Sequence, residues 1–143
     1  MRDSRLGTYG ALILMVSFVA KLSALAALPD AFVVQSLIAA HALARGVLPV
    51  MAMRLSYARK DGLAANAGRP DMTTAGTAGA LALVIALMSL PWIQALCAAA
   101  AACAIGMALL ARRQIGGQTG DVLGGAEQLS ETAVLVLLAT QLA

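Results

Sequence analysis

Three carboxylates, Asp121, Glu127 and Glu131, follow the stretch Gly116-Gly117-Gln118-Thr119-Gly120 and open an otherwise apolar final segment. Acids in or beside hydrocarbon are expensive unless they bind a cation or a partner, which makes them functional candidates by default. On a helix, Asp121, Gly124, Gln128 and Glu131 fall within about a third of the circumference, with Glu127 beside Glu131. Oxygen ligands of this kind suit Mg2+, which takes a few carboxylates and completes its octahedron with water and substrate phosphates. Arg112 and Arg113 stand just ahead of the glycines, and a helix amino terminus itself favours anions. The competing reading is a capped helix with polar contacts to its neighbours. The glycine spacing matches neither the Walker loop nor the dinucleotide fingerprint.

A second candidate lies at the start, Met1-Arg2-Asp3-Ser4-Arg5-Leu6-Gly7-Thr8-Tyr9-Gly10. Asp3 can ligate a cation and Arg5 can fork onto a phosphate, although an N-cap with a topology-setting arginine fits equally well. The one long polar segment, from Arg54 to Asp71, either folds over a substrate or is a solvated loop whose charges fix topology. His41 and Arg45, four residues apart, share a helix face that should look into the bundle. They either grip a phosphate, or the histidine bonds a nearby carbonyl while the arginine snorkels. A metal on His41 alone lacks the ligand count. Cys97 and Cys103, six residues apart in an apolar helix, point to different faces and read as packing residues.

The elements that must carry these residues follow from composition. With 61% hydrophobic and only 12% charged residues among 143, and a mean hydropathy of +0.85, the natural solvent of this chain is lipid. Five stretches of membrane-crossing length occur, at about 6–28, 32–53, 73–90, 92–111 and 122–142. Lipid tolerates no unpaired backbone, so these must be helices. The expected fold is an all-α polytopic bundle of about five transmembrane helices forming a single integral-membrane domain over residues 1–143. Ala98–Ala102, with Gly106 one turn on, offers a smooth surface for close helix contact.

Eight of the ten basic residues fall before the first stretch, between the second and third, or between the fourth and fifth. Positive-inside bias then sets the amino terminus in the cytoplasm and the carboxyl terminus on the far side. That topology gathers the polar motifs on one membrane face. Juxtamembrane arginines facing anionic lipid account for the net charge of +3 without a nucleic-acid partner. The start imitates a secretory signal, with Ala24-Leu25-Ala26 as a cleavage site. The apolar run is too long for a signal core, however, and Lys21 interrupts it. Lys21 is expected to snorkel to the far interface.

The chain resembles the cobalamin synthase family, the adenosylcobinamide-GDP ribazoletransferases of the bacterial inner membrane. Residues 1–10 look like the family's Met-Lys-Asp-Ser-Arg-x-Gly-x-x-Gly element, and Tyr57-Ala58-Arg59 resembles its Tyr-Ala-Arg loop. Gly116 to Glu131 is similar to its Gly-Gly-x-Thr-Gly-Asp-x-Leu-Gly element ending in Ser-Glu. The resemblance implies phosphoryl transfer: a hydroxyl of α-ribazole or its 5′-phosphate attacks the diphosphate of adenosylcobinamide-GDP, GMP leaves, and Mg2+ assists. It implies Asp3, Asp121 and Glu131 as catalytic and metal-binding residues, and Arg5, Arg59, Arg112 and Arg113 as phosphate contacts.

The chain also departs from that pattern. The resemblance implies about a hundred preceding residues carrying an Asp-Gly-x-x-Asp-x-x-Asp-Gly element, which does not occur here. A carboxyl-terminal portion or a misplaced start is therefore expected, with little or no turnover unless the other half is supplied. The family tends to place a glutamate where this chain has Gln128, which weakens a ligand role for Glu127. A reading from another class is a small transporter or assembly subunit with Arg45, His41 and Glu131 along an ion path, and a third is a non-catalytic fragment. Self-association is left open by the sequence.

Overall fold

Lipid offers backbone amides no partner, so a chain of this composition satisfies them within helices. The computed structural model describes the backbone of residues 8–58, 68–89 and 93–142, and the side chains of 11–58, 68–89 and 95–142. Within these residues the helices are α1 (Thr8–Ala27), α2 (Asp30–Gly46), α3 (Leu48–Arg54), α4 (Met72–Ser89), α5 (Ile93–Ile115) and α6 (Gly120–Leu142). Extended pairing among the described residues amounts to one parallel bridge, Tyr57 with Gln118. The all-α membrane bundle expected from composition is thus observed.

Among the described residues, four stretches are long and apolar enough to cross a membrane: 30–54, 72–89, 95–115 and 120–142, with a shorter apolar stretch at 11–27 in α1. The second expected crossing is divided into α2 and α3 at Val47, which closes one helix and opens the next. Pro49 sits in the first turn of α3 and has no N–H to donate, so the break falls where the ladder cannot continue unaltered. The fourth crossing runs on to Ile115 and the last begins at Gly120, which places Arg112, Arg113 and Asp121 on helix rather than loop.

Packing is small inside and large outside. Ala39, Ala40, Ala44, Ala86, Ala100 and Ala126 are fully buried, whereas Phe18, Val34, Leu81, Met88 and Ile105 are exposed. Hydrocarbon solvates leucine as well as a protein core does, so helices gain most by close backbone approach, which small residues permit. α2 packs on α4 and α6, α1 on α6, and α5 on α6. The alanine run behaves as expected at Ala100. Gly106 does not, because nothing lies within 4 Å of where its Cβ would stand. It faces outward, about 200° around the helix from buried Ala104.

The closest approach is between α2 and α4, where a Cβ on Gly46 would overlap the Ala82 methyl. At the start of α4, Asp71 accepts a hydrogen bond from the Thr74 amide at 2.7 Å. Hydrogen bonding to Thr74, through its side chain first and its amide second, holds the Asp71 carboxyl below its ordinary value of 3.8.

Gly46→Val is expected to destabilise the α2–α4 pair by about 1–3 kcal/mol, as overpacking does. An unfolding titration in mixed micelles reads this, and an unchanged midpoint would mean that the two helices do not touch at Gly46. Because the folded Asp71 carboxyl titrates low, its capping contribution is present above the unfolded value and lost as pH falls through the folded one. Protection of the Thr74 and Ala75 amides, relative to the intrinsic exchange rate at each pH, should therefore fall as the pH drops below about 4, and in Asp71→Ala it should already be reduced at neutral pH.

Candidate functional site

Two connecting segments meet at the end of the bundle where α3 and α5 finish and α6 starts. α5 ends at Ile115 and is followed by Gly116, whose φ of 74° lies in the left-handed region that glycine enters without strain. The next residue lies so close to the other segment that a Cβ on Gly117 would collide with the Ser56 carbonyl. Gln118 then bridges: its N–H donates to Ser56 O at 2.7 Å and its C=O accepts from Ala58 N–H at 3.0 Å. Its side-chain amide, on a residue only 2% exposed, donates to the carbonyls of Ala52 at 2.9 Å and Leu55 at 3.3 Å. Arg112 donates to Arg54 O at 3.0 Å and Arg69 to Leu55 O at 2.8 Å. A helix leaves its last carbonyls unpaired, and here an amide and two guanidinium groups arriving from elsewhere in the chain satisfy them.

Thr119 caps α6, its hydroxyl accepting from Val122 N–H at 3.3 Å. Asp121 occupies the first turn, exposed, where the positive end of the helix dipole favours its charge. Gln118 Oε1 and Tyr57 Oη are buried beside this junction without a hydrogen-bond partner among the described residues.

A second polar layer lies deeper. Glu131, 6% exposed and near the middle of α6, is 3.0 Å from Lys21 Nζ and 3.7 Å from His41 Nε2. Lys21 also donates to Gln128 Oε1 at 2.7 Å. One turn toward the junction, Arg45 donates to Glu127 Oε1 at 2.8 Å. The two layers tie α1 and α2 to α6. Lys21 therefore does not snorkel to the interface: a buried carboxylate at the same depth is the better partner for its ammonium, since otherwise that carboxylate would stand uncompensated. His41 places Nδ1 3.1 Å from Leu37 O, one turn back, as the bland reading of that residue expected.

Of the expected catalytic and metal-binding residues, Asp121 lies at the junction and Glu131 does not. Ten residues along one helix separate them by about 15 Å, and ligands to one Mg2+ sit about 2.1 Å from it. Asp3, Arg5 and Arg59 lie outside the described residues. Arg113 is exposed near the junction, and Arg112 is turned onto the end of α3. Among the described residues no three of His, Cys, Asp or Glu gather as a metal site. The proposed path through Arg45, His41 and Glu131 resolves into two separate pairings on Glu127 and Glu131. Gln118 carries the arrangement without a role read from the sequence, and Lys21 was expected only to snorkel, although its place inside an apolar span was the available signal for an internal partner.

Comparison with known proteins adds the following. The family model described as cobalamin-5-phosphate synthase matches residues 1–139. A protein of Bradyrhizobium diazoefficiens named adenosylcobinamide-GDP ribazoletransferase is 42% identical, over 97% of this chain and 55% of its own length. Proteins of the same name from Rhizobium etli and Mesorhizobium japonicum are 40% and 42% identical, each over 99% of this chain and 58% and 56% of their own lengths. The chain thus spans a little over half the length of these relatives. No solved structure matches it significantly.

Lys21→Met and Glu131→Leu are each expected to destabilise the bundle, because the first leaves buried Glu131 and the second half-buried Lys21 without its ion-pair partner. The double variant should lose less than the sum of the two, with a coupling of about 1–3 kcal/mol. Unfolding of the four proteins in detergent measures it, and additive losses would show that the pair carries no energy.

Proposed function

The chain belongs to the cobalamin-5-phosphate synthase family, and from that premise we propose that it serves the joining of adenosylcobinamide-GDP to α-ribazole or α-ribazole 5′-phosphate, with release of GMP. The observation that carries this reading is the junction itself, where the Tyr57-Ala58 loop is hydrogen-bonded to the Gly116–Asp121 element and presents Asp121 at its rim. Segments 60 residues apart are brought to one end of the bundle, as a site for a large, charged substrate requires.

In the reaction, the ribazole hydroxyl oxygen forms a bond to the phosphorus on the cobinamide side of the diphosphate, the bond from that phosphorus to the bridging oxygen breaks, and GMP departs with that oxygen. The hydroxyl proton needs an acceptor, and Asp121 is the exposed carboxylate at the junction. Charge growing on the departing GMP needs donors at the same face, for which Arg113, Arg5 and Arg59 are the candidates. Magnesium stays in the proposal as cofactor, where it would neutralise the diphosphate. The described residues offer it Asp121 as one ligand and do not complete its shell. Glu131, held by Lys21 and His41, is better suited to setting α6 against α1 and α2 than to ligation. The basic residues flanking the helices support an inner-membrane location with this junction in the cytoplasm.

Membranes carrying the chain together with the portion of the Bradyrhizobium relative that it does not span should release GMP from adenosylcobinamide-GDP when α-ribazole and Mg2+ are supplied. Chelation should stop release and added Mg2+ restore it. Asp121→Asn should lower the rate at least about tenfold, in the range seen when an acid–base group is lost. A rate unaffected by that change would remove Asp121 from the chemistry.

A further inference from the structure

A cavity of about 600 Å3 lies between α2, α3, α4 and α5, clear of the polar layers and reaching the junction at Arg54, Leu55 and Arg112. Along α5 it runs from Cys97 to Arg112, about 22 Å at the rise of a helix. Its floor is small and apolar, with Ala100 and Ala104 buried. Its rims, Val50, Leu83, Ile105 and Leu109, are 43–60% exposed, so it opens sideways toward the bilayer. Among the described residues, the two charged groups in its lining, Arg54 and Arg112, stand at the same end, in the last turns of α3 and α5. One guanidinium N–H of Arg112 is used on Arg54 O, and among the described residues its other N–H groups have no partner. Among the described residues no carboxylate lies within ion-pair distance of either arginine.

We propose that this groove holds one anionic phospholipid, with an acyl chain lying along α5 and its phosphodiester between Arg54 and Arg112. At about 22 Å the groove is long enough to hold an acyl chain, since one leaflet of hydrocarbon is about 15 Å deep. The charge fits too, because basic pockets between membrane helices favour anionic head groups and paired guanidinium forks match phosphate oxygens. A second copy of this chain in the same orientation fits less well, since it brings Arg54, Arg112 and Arg113 to the same end as the groove's own arginines, and like charges facing each other repel. A lone phosphate would leave the apolar length unfilled. The proposal shares Arg54 and Arg112 with the end of α3 at the junction but does not depend on the reaction proposed there.

The test reconstitutes the full chain in nanodiscs of equal phosphatidylglycerol and phosphatidylcholine, then counts retained lipids by native mass spectrometry. One phosphatidylglycerol per chain is expected to survive release. R54Q/R112Q should lower that preference about tenfold or more, and R54K/R112K should retain most of it. Gly79→Leu enters the groove at a point with nothing within 4 Å of the new Cβ, and it should reduce retention of either lipid while circular dichroism shows unchanged helix. Equal retention of both lipids by the parent chain would overturn the proposal. So would a preference that persists in R54Q/R112Q, a lipid-free dimer, or retention that Gly79→Leu leaves untouched while inorganic phosphate removes the preference.

Discussion

A carboxylate in the middle of a membrane-spanning helix has to be neutralised where it stands, and Glu131 is that carboxylate. Lys21 from α1 and His41 from α2 meet it, so the geometry of three helices is fixed by one charge. Hydrocarbon supplies no competing water, and the pair therefore acts over a distance at which a surface ion pair would contribute little. The Arg45–Glu127 contact one turn away repeats the device in a more exposed setting. Once α6 is set by these contacts, its first turn, with Thr119 and Asp121, is set as well.

The rest of the packing follows from the same solvent. Ser130 donates to Ala100 O at 3.2 Å between α5 and α6, and Gly46 lets α2 reach Ala82 on α4. Close approach and polar contacts take the place of the large apolar side chains that fill a soluble core, and those side chains face outward instead. At the junction the unpaired carbonyls that end α3 draw in Gln118, Arg69 and Arg112. Helix termination thereby becomes the means by which distant segments are joined.

The catalytic and structural roles given to the acids separate along this axis. Asp121 is exposed and lies at the head of a helix, where an anion or a cation-bound ligand can be met. Glu131 shares its helix face and lies about 15 Å deeper, already satisfied by protein groups. Helix periodicity sets both within about a third of the circumference, but a face is a line rather than a point. Axial distance and the occupancy of each carboxylate decide which of them can meet a substrate.

The amino-acid sequence by itself determined the membrane class, the helical content and the positions of most spans, because hydropathy over about 20 residues leaves a helix as the sole way to satisfy the backbone in lipid. It also singled out Tyr57-Ala58 and Gly116–Asp121 as motifs. Only the tertiary structure decided that these two segments bind one another through Gln118, that Lys21 turns inward to Glu131, and that Arg54 and Arg112 share the end of a groove. Partners separated by 60 to 110 residues are chosen by which helices come into contact, and local pattern carries no information about that choice.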